Sequence, residues 1–306
     1  MKRTLLVVGA LVLAAWPLSA QTPPPAQGQS TARQGGGATQ TPPIDVPWND
    51  AIPPGTADHA TRALKESSRH GEWVDIKLKD GKPMNSWVVY PERKDKAGVV
   101  LVIFDINGMR DLARAMGDQL AQDGFIAIVP DFLWGMAPNG EGSAALGGGV
   151  GQAIQKLTDD DVNAKLDAAM EYGKKLPSSN GKTGVVGFCW GGSHSFAYAA
   201  HQQNLNAAVV FYGSAPGSGD NTMDTTLANL KAPVLGMYAG NDARIGATVP
   251  PTQEAMKKLG KSYEVHTFEG AGHGFMFAQA GAGGANLKAA QESWPMVLKF
   301  YRDHLK

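Results

Sequence analysis

The chain has 306 residues, 28 basic and 28 acidic side chains and a single cysteine. One cysteine excludes an internal disulfide and every multi-cysteine zinc or iron–sulfur site. The charge balance gives no electrostatic case for nucleic acid as a partner. Apolar residues at 43% and charged residues at 18% fit a globular protein with a substantial core, and the 38 glycines point to many tight turns or a diluting tail.

Met1–Ala20 reads as a secretory signal. Lys2 and Arg3 supply the positive start, Leu5–Trp16 the apolar run, and Leu18-Ser19-Ala20 ends in the small residue that cleavage needs. The run is too short to span a bilayer, which takes roughly 20 apolar residues, so no stable membrane anchor is expected after cleavage. No cysteine follows it to carry a lipid. Export places the mature chain in the periplasm or outside the cell. Residues 21–50 form a Pro/Gly/Gln-rich linker, most biased over Gln21–Pro47, with almost nothing large and apolar to bury. Residues 51–306 are then left for one domain.

That domain alternates strands and helices. Trp73–Lys79 and Ser86–Tyr90 alternate apolar and polar residues about Asp80-Gly81, a hairpin signal. Gly98–Ile106 is almost wholly apolar, as expected of a strand covered on both faces. Leu112, Met116 and Leu120 recur at helical spacing, and Phe125–Val129 is the next strand. Gly147–Gly151 lacks the lysine and hydroxyl of a phosphate loop and reads as a mobile loop over the pocket. Thr158 caps a helix opened by Asp159–Asp161; that run lacks the alternating ligands of a calcium loop. Strands follow at Thr183–Phe188, Ala207–Tyr212, Val234–Ala239 and Tyr263–Phe268. Helices are expected at Ser193–His201, near Thr252–Leu259 and at Trp294–Leu305. Repeated β–α alternation predicts a mainly parallel sheet with helices on both faces.

The sharpest feature is Gly187-Phe188-Cys189-Trp190-Gly191-Gly192, between a strand and a helix. This is the context of a nucleophile elbow. The glycines admit a close strand–helix approach, and the amide after the nucleophile points to where an oxyanion forms. A helix N-terminus also favours negative charge at the apex. In the α/β-hydrolase arrangement an acid and then a histidine follow the nucleophile. Asp242, in Gly240-Asn241-Asp242, and His273, in Gly272-His273-Gly274-Phe275, come in that order, each just past a strand. His273 would take the thiol proton and Asp242 would fix the imidazole tautomer. His194 is too close in sequence to Cys189 to serve as base, and His201 and His266 show no metal-ligand spacing.

These residues resemble the dienelactone hydrolase family of α/β-hydrolases, from about Trp73 to the C-terminus. The resemblance implies an α/β-hydrolase fold and a cofactor-free ester or lactone hydrolase with a Cys–His–Asp triad, acting on a small molecule. It implies the amides of Trp190 and Ile106 as oxyanion donors, and Asp105 at the position of a family glutamate that tunes the thiol. Two family arginines that grip a substrate carboxylate fall on Gly135 and Phe277, so dienelactone itself is not the expected substrate. Trp134, Met136, Phe275 and Phe277 instead suggest an apolar pocket. A glutaminase with a cysteine elbow is disfavoured, because Phe275 stands where a glutamate is needed. A non-catalytic binding protein on the same scaffold is the remaining alternative.

Overall fold

The structure is a computed structural model and describes residues 42–219 and 222–306. The signal segment and most of the linker lie outside the described residues. Helix α1 (Ala57–Glu66) precedes a hairpin of β1 (Gly71–Lys77) and β2 (Pro83–Val89). Then come β3 (Ala97–Ile103), α2 (Asp111–Gln122) and β4 (Ile126–Pro130). Two short helices, α3 (Ser143–Leu146) and α4 (Val150–Ile154), lead to α5 (Asp159–Lys175). The elbow joins β5 (Ser179–Phe188) to α6 (Trp190–His201), and β6 (Ala207–Phe211), α7 (Met223–Ala228) and β7 (Val234–Ala239) follow. The chain closes with α8 (Ala243–Gly246), α9 (Val249–Lys258), β8 (Tyr263–Phe268) and α10 (Ala285–His304).

The eight strands form one sheet in the order β1-β2-β4-β3-β5-β6-β7-β8. β1 and β2 pair antiparallel about the turn at Gly81, β2 meets β4 antiparallel, and every other pair is parallel. All seven residues of β3 are buried, which is why its sequence shows no alternation. α5 starts with a reciprocal cap: Asp161 N–H donates to Thr158 Oγ1 at 3.1 Å and Thr158 N–H to Asp161 Oδ2 at 3.0 Å.

Three expectations need correction. The body starts ahead of residue 51: Val46 is buried, and Ile44 N–H donates to Ala280 O at 2.9 Å. A Pro-rich stretch can still pack once a few apolar residues punctuate it. Gly147–Gly151 is not an open loop. It makes a 3₁₀ turn running into α4, whose Val150, Ala153 and Ile154 are buried and anchor it. The last helix begins nine residues before Trp294, at Ala285, and carries Pro295 inside it. The proline removes one backbone donor without stopping a helix held by buried Leu287, Trp294, Val297 and Tyr301. Among the described residues no helix is long and apolar enough to cross a membrane.

Candidate active site

Parallel strands deliver their carboxyl ends to one edge of the sheet, where such folds place their chemistry. β3 runs into Asp105 and Ile106, β5 into Cys189, β7 into Asp242 and β8 into the loop carrying His273.

The elbow is sterically enforced. Cys189 has φ +58°, a conformation that L-residues rarely hold. It is fixed from both sides: its N–H donates to Phe211 O and its carbonyl accepts from Ser193 N, both at 3.1 Å. A Cβ on Gly187 would sit 1.8 Å from Gly191 O, and one on Gly191 would sit 2.4 Å from Ile103 O. The helix therefore starts directly on the sheet, with Cys189 half-buried at its N-cap. Strain of this kind persists only where the surroundings dictate it.

Asp242 does two jobs with two oxygens. Oδ1 accepts from Ile245 N at 3.2 Å, capping α8, and Oδ2 meets His273 Nδ1 at 2.5 Å. The cap orients the carboxylate, and burial keeps it from turning to water. The His273 loop is tied down on both flanks. Asn241 donates to Ala271 O through its backbone and to Gly270 O through its side chain, and Gly272 N–H donates to Asn286 Oδ1 at 2.8 Å. With Nδ1 committed to Asp242, Nε2 is left for the thiol. The Cys189 thiol beside the imidazole is the largest cause holding the His273 pKa above its ordinary value; Asp242 adds to it and partial burial opposes it.

Two neighbours of this cluster were not identified from sequence. Tyr212, at the end of β6, is buried with φ +40°, and its ring meets His273 edge-on at 5.1 Å between centroids. Its phenol pKa is raised well above normal, first by burial and then by the Asp105 and Cys189 charges. Its place as the last residue of an apolar strand at the site edge was the available signal. Arg110 is the other. Its Nη2 donates to Asp105 Oδ2 at 2.6 Å, and its guanidinium lies 5.6 Å from the Phe277 ring centroid. A guanidinium thus lies beside Phe277, brought there by the loop after β3. Asp105 also accepts from Asn107 N and Nδ2, at 2.9 and 3.0 Å. It is thus held by its own loop, and its interactions do not include a hydrogen bond to Cys189.

The apolar-pocket residues divide. Phe275 is fully buried among Phe211, Tyr212 and Phe268 and is a core residue, because the turn at Gly274 directs it under the sheet edge. Phe277 packs on Phe188 at 4.7 Å, and Met136 is partly buried against the core. Trp134 lines a cavity beside Arg110. The Trp190 ring stacks on Phe104 and meets His194 at a tilt of 60°, and His194 also faces Asp159 Oδ1 at 3.2 Å. His194 therefore links the elbow helix α6 to the start of α5. Neither Trp190 N nor Ile106 N donates a hydrogen bond within the described residues. No cluster of metal-ligating side chains occurs among them.

A family model described as the dienelactone hydrolase family matches residues 84–305. The chain belongs to the dienelactone hydrolase family. As a member of it, the protein is an ester or lactone hydrolase with an α/β-hydrolase fold. A carboxymethylenebutenolidase homolog of Rattus norvegicus is 32% identical over 192 residues, covering 60% of this chain and 72% of its own. Two solved structures share the fold. One is a dienelactone hydrolase from Anabaena variabilis, with TM-score 0.59 and 18% identity, covering 78% of this chain and 100% of its own. The other is the dienelactone hydrolase-like promiscuous phosphotriesterase P91 from metagenomic libraries, with TM-score 0.64, 19% identity and the same coverage.

Proposed function

We propose that the protein hydrolyses uncharged carboxylic esters or lactones through Cys189, His273 and Asp242. The observation that carries this is the His273 imidazole held between Asp242 and the thiol of a strained elbow. His273 takes the thiol proton as sulfur attacks the carbonyl carbon, and Asp242 stabilises the imidazolium. The Trp190 and Ile106 amides receive the negative oxygen. His273 then returns the proton to the departing alkoxide, leaving a thioester. Water adds to it with His273 again as base, and collapse releases the acid and the thiol.

The preference for neutral substrates rests on charge compensation. Arg110, whose guanidinium lies beside Phe277, is already paired with Asp105, so dienelactone with its carboxylate is disfavoured. Export to the periplasm or medium, read from Met1–Ala20, completes the proposal. Cys189→Ala should remove hydrolysis of a short p-nitrophenyl ester while leaving the circular dichroism spectrum intact; retained activity overturns the assignment. A panel of matched neutral and carboxylated esters tests the charge argument, which fails if the carboxylated members react faster. Cell fractionation tests export, which fails if the protein stays cytoplasmic with its first 20 residues attached.

A further inference from the structure

The loop from Asp105 to Arg110 has the catalytic edge at one end and a cavity of about 310 Å³ at the other. The cavity is walled by Trp73 from β1, Met109, Arg110 and Arg114 from the start of α2, and Trp134 and Glu141 from the segment after β4. That volume is at the lower end for small-molecule sites, enough for one ring.

Its chemistry is specific. Trp73 remains 47% exposed, yet it is held firmly. It pairs across the hairpin with Trp87, the rings meeting edge-on at 5.3 Å. The Arg114 guanidinium covers both indoles, 5.8 and 5.6 Å from their centroids. Trp73 is thus a fixed, partly exposed aromatic wall of the cavity. Of the three large apolar side chains that stay exposed among the described residues, Trp73 is one and Ile106, on the connecting loop, is another.

The charges around the cavity are compensated. Arg110 is paired with Asp105, and Arg114 with Asp111 at 2.5 Å. The Asp131 oxygens are filled by Leu133 N, Ser143 N and Ser143 Oγ. Glu141 at the rim repels an anion, and both guanidiniums are occupied. These charges disfavour an anion, and the indole favours a flat ring. Trp73 precedes residues 84–305, so this wall stands outside the segment matched by the family model.

We infer that this cavity is a specificity subsite that takes the aryl group of a neutral aromatic ester, with Trp73 as its stacking platform. The inference deepens the ester-hydrolase reading and rests on it. It predicts that benzyl butyrate outcompetes cyclohexylmethyl butyrate, a ring of the same size without a π face and with an alcohol of similar acidity. An aromatic stacking advantage of the usual size corresponds to roughly three- to ten-fold in kcat/KM. Trp73→Ala should erase that preference and leave methyl butyrate turnover unchanged, and Trp73→Phe should keep most of it. A preference that survives Trp73→Ala, or a loss shared equally by methyl butyrate, overturns the subsite. Calorimetric titration with N-benzylbutyramide separates this idea from the triad, because it reads binding without ester chemistry. Binding by wild type but not by Trp73→Ala supports the subsite even if no ester is hydrolysed, an outcome that would sink the hydrolase reading alone. Equal binding by both proteins, or binding by neither, overturns the subsite.

Discussion

Asp242 offers a way to separate catalysis from stability, because its two oxygens serve different partners. Asp242→Asn keeps an acceptor for Ile245 N and so keeps the cap of α8. At Oδ2, however, an amide replaces the carboxylate, and it can donate to Nδ1. That would lock the proton on Nε2, the nitrogen that must accept from Cys189. In serine-protease triads the corresponding change costs roughly ten-thousand-fold in kcat, equivalent to about 5.5 kcal/mol of transition-state stabilisation. A loss of about a thousand-fold or more is expected here. Asp242→Ala should lose similar activity and also the cap, for about 1 kcal/mol of stability. In a domain of this size that lowers Tm by roughly 2–4 °C. Steady-state hydrolysis of a neutral aryl ester and thermal unfolding by circular dichroism measure the two effects. An Asn variant within ten-fold of wild type, or Asn and Ala variants of equal Tm, would refute the division of labour.

Other outcomes follow from the same geometry. Gly187→Ala puts a methyl group 1.8 Å from Gly191 O and should cost more than about 4 kcal/mol, seen as loss of soluble folded protein. Arg110→Ala leaves the buried Asp105 carboxylate with only its Asn107 donors, and should lower stability by about 1–3 kcal/mol in chemical denaturation. The His273 pKa is raised in the folded state, so its pairing adds stability that is complete below the ordinary imidazole pKa of about 6.5 and fades as pH rises through the folded value. Catalysis needs the neutral ring, so kcat/KM should climb across that same window while stability declines; an acid limb centred below about pH 6.5 would contradict this.

The elbow, the acid and the histidine were legible because each sits where sequence and geometry coincide: a loop beginning as an apolar strand ends, flanked by glycines that the backbone requires. The parallel sheet was legible for the same reason, β3 being apolar throughout. Helix α1 was not, since its apolar stripe of Ala57, Ala60, Ala63 and Leu64 is mostly alanine and only Ala60 is fully buried. Arg110 does not stand out in the sequence, because it occupies neither arginine position that the resemblance implies. Only the turn after β3 shows that it folds back onto Asp105. Phe275 and Phe277 look alike in sequence, two residues apart; one lies in the core and the other beneath a guanidinium, a difference made by the turn at Gly274.

The base reaches the cysteine only by way of β8, the last strand and the outer edge of the sheet. Until β8 docks on β7, the thiol has its strained turn but no imidazole beside it. The reactivity of the thiol therefore depends on a pairing at the rim of the sheet, away from the strand that carries it.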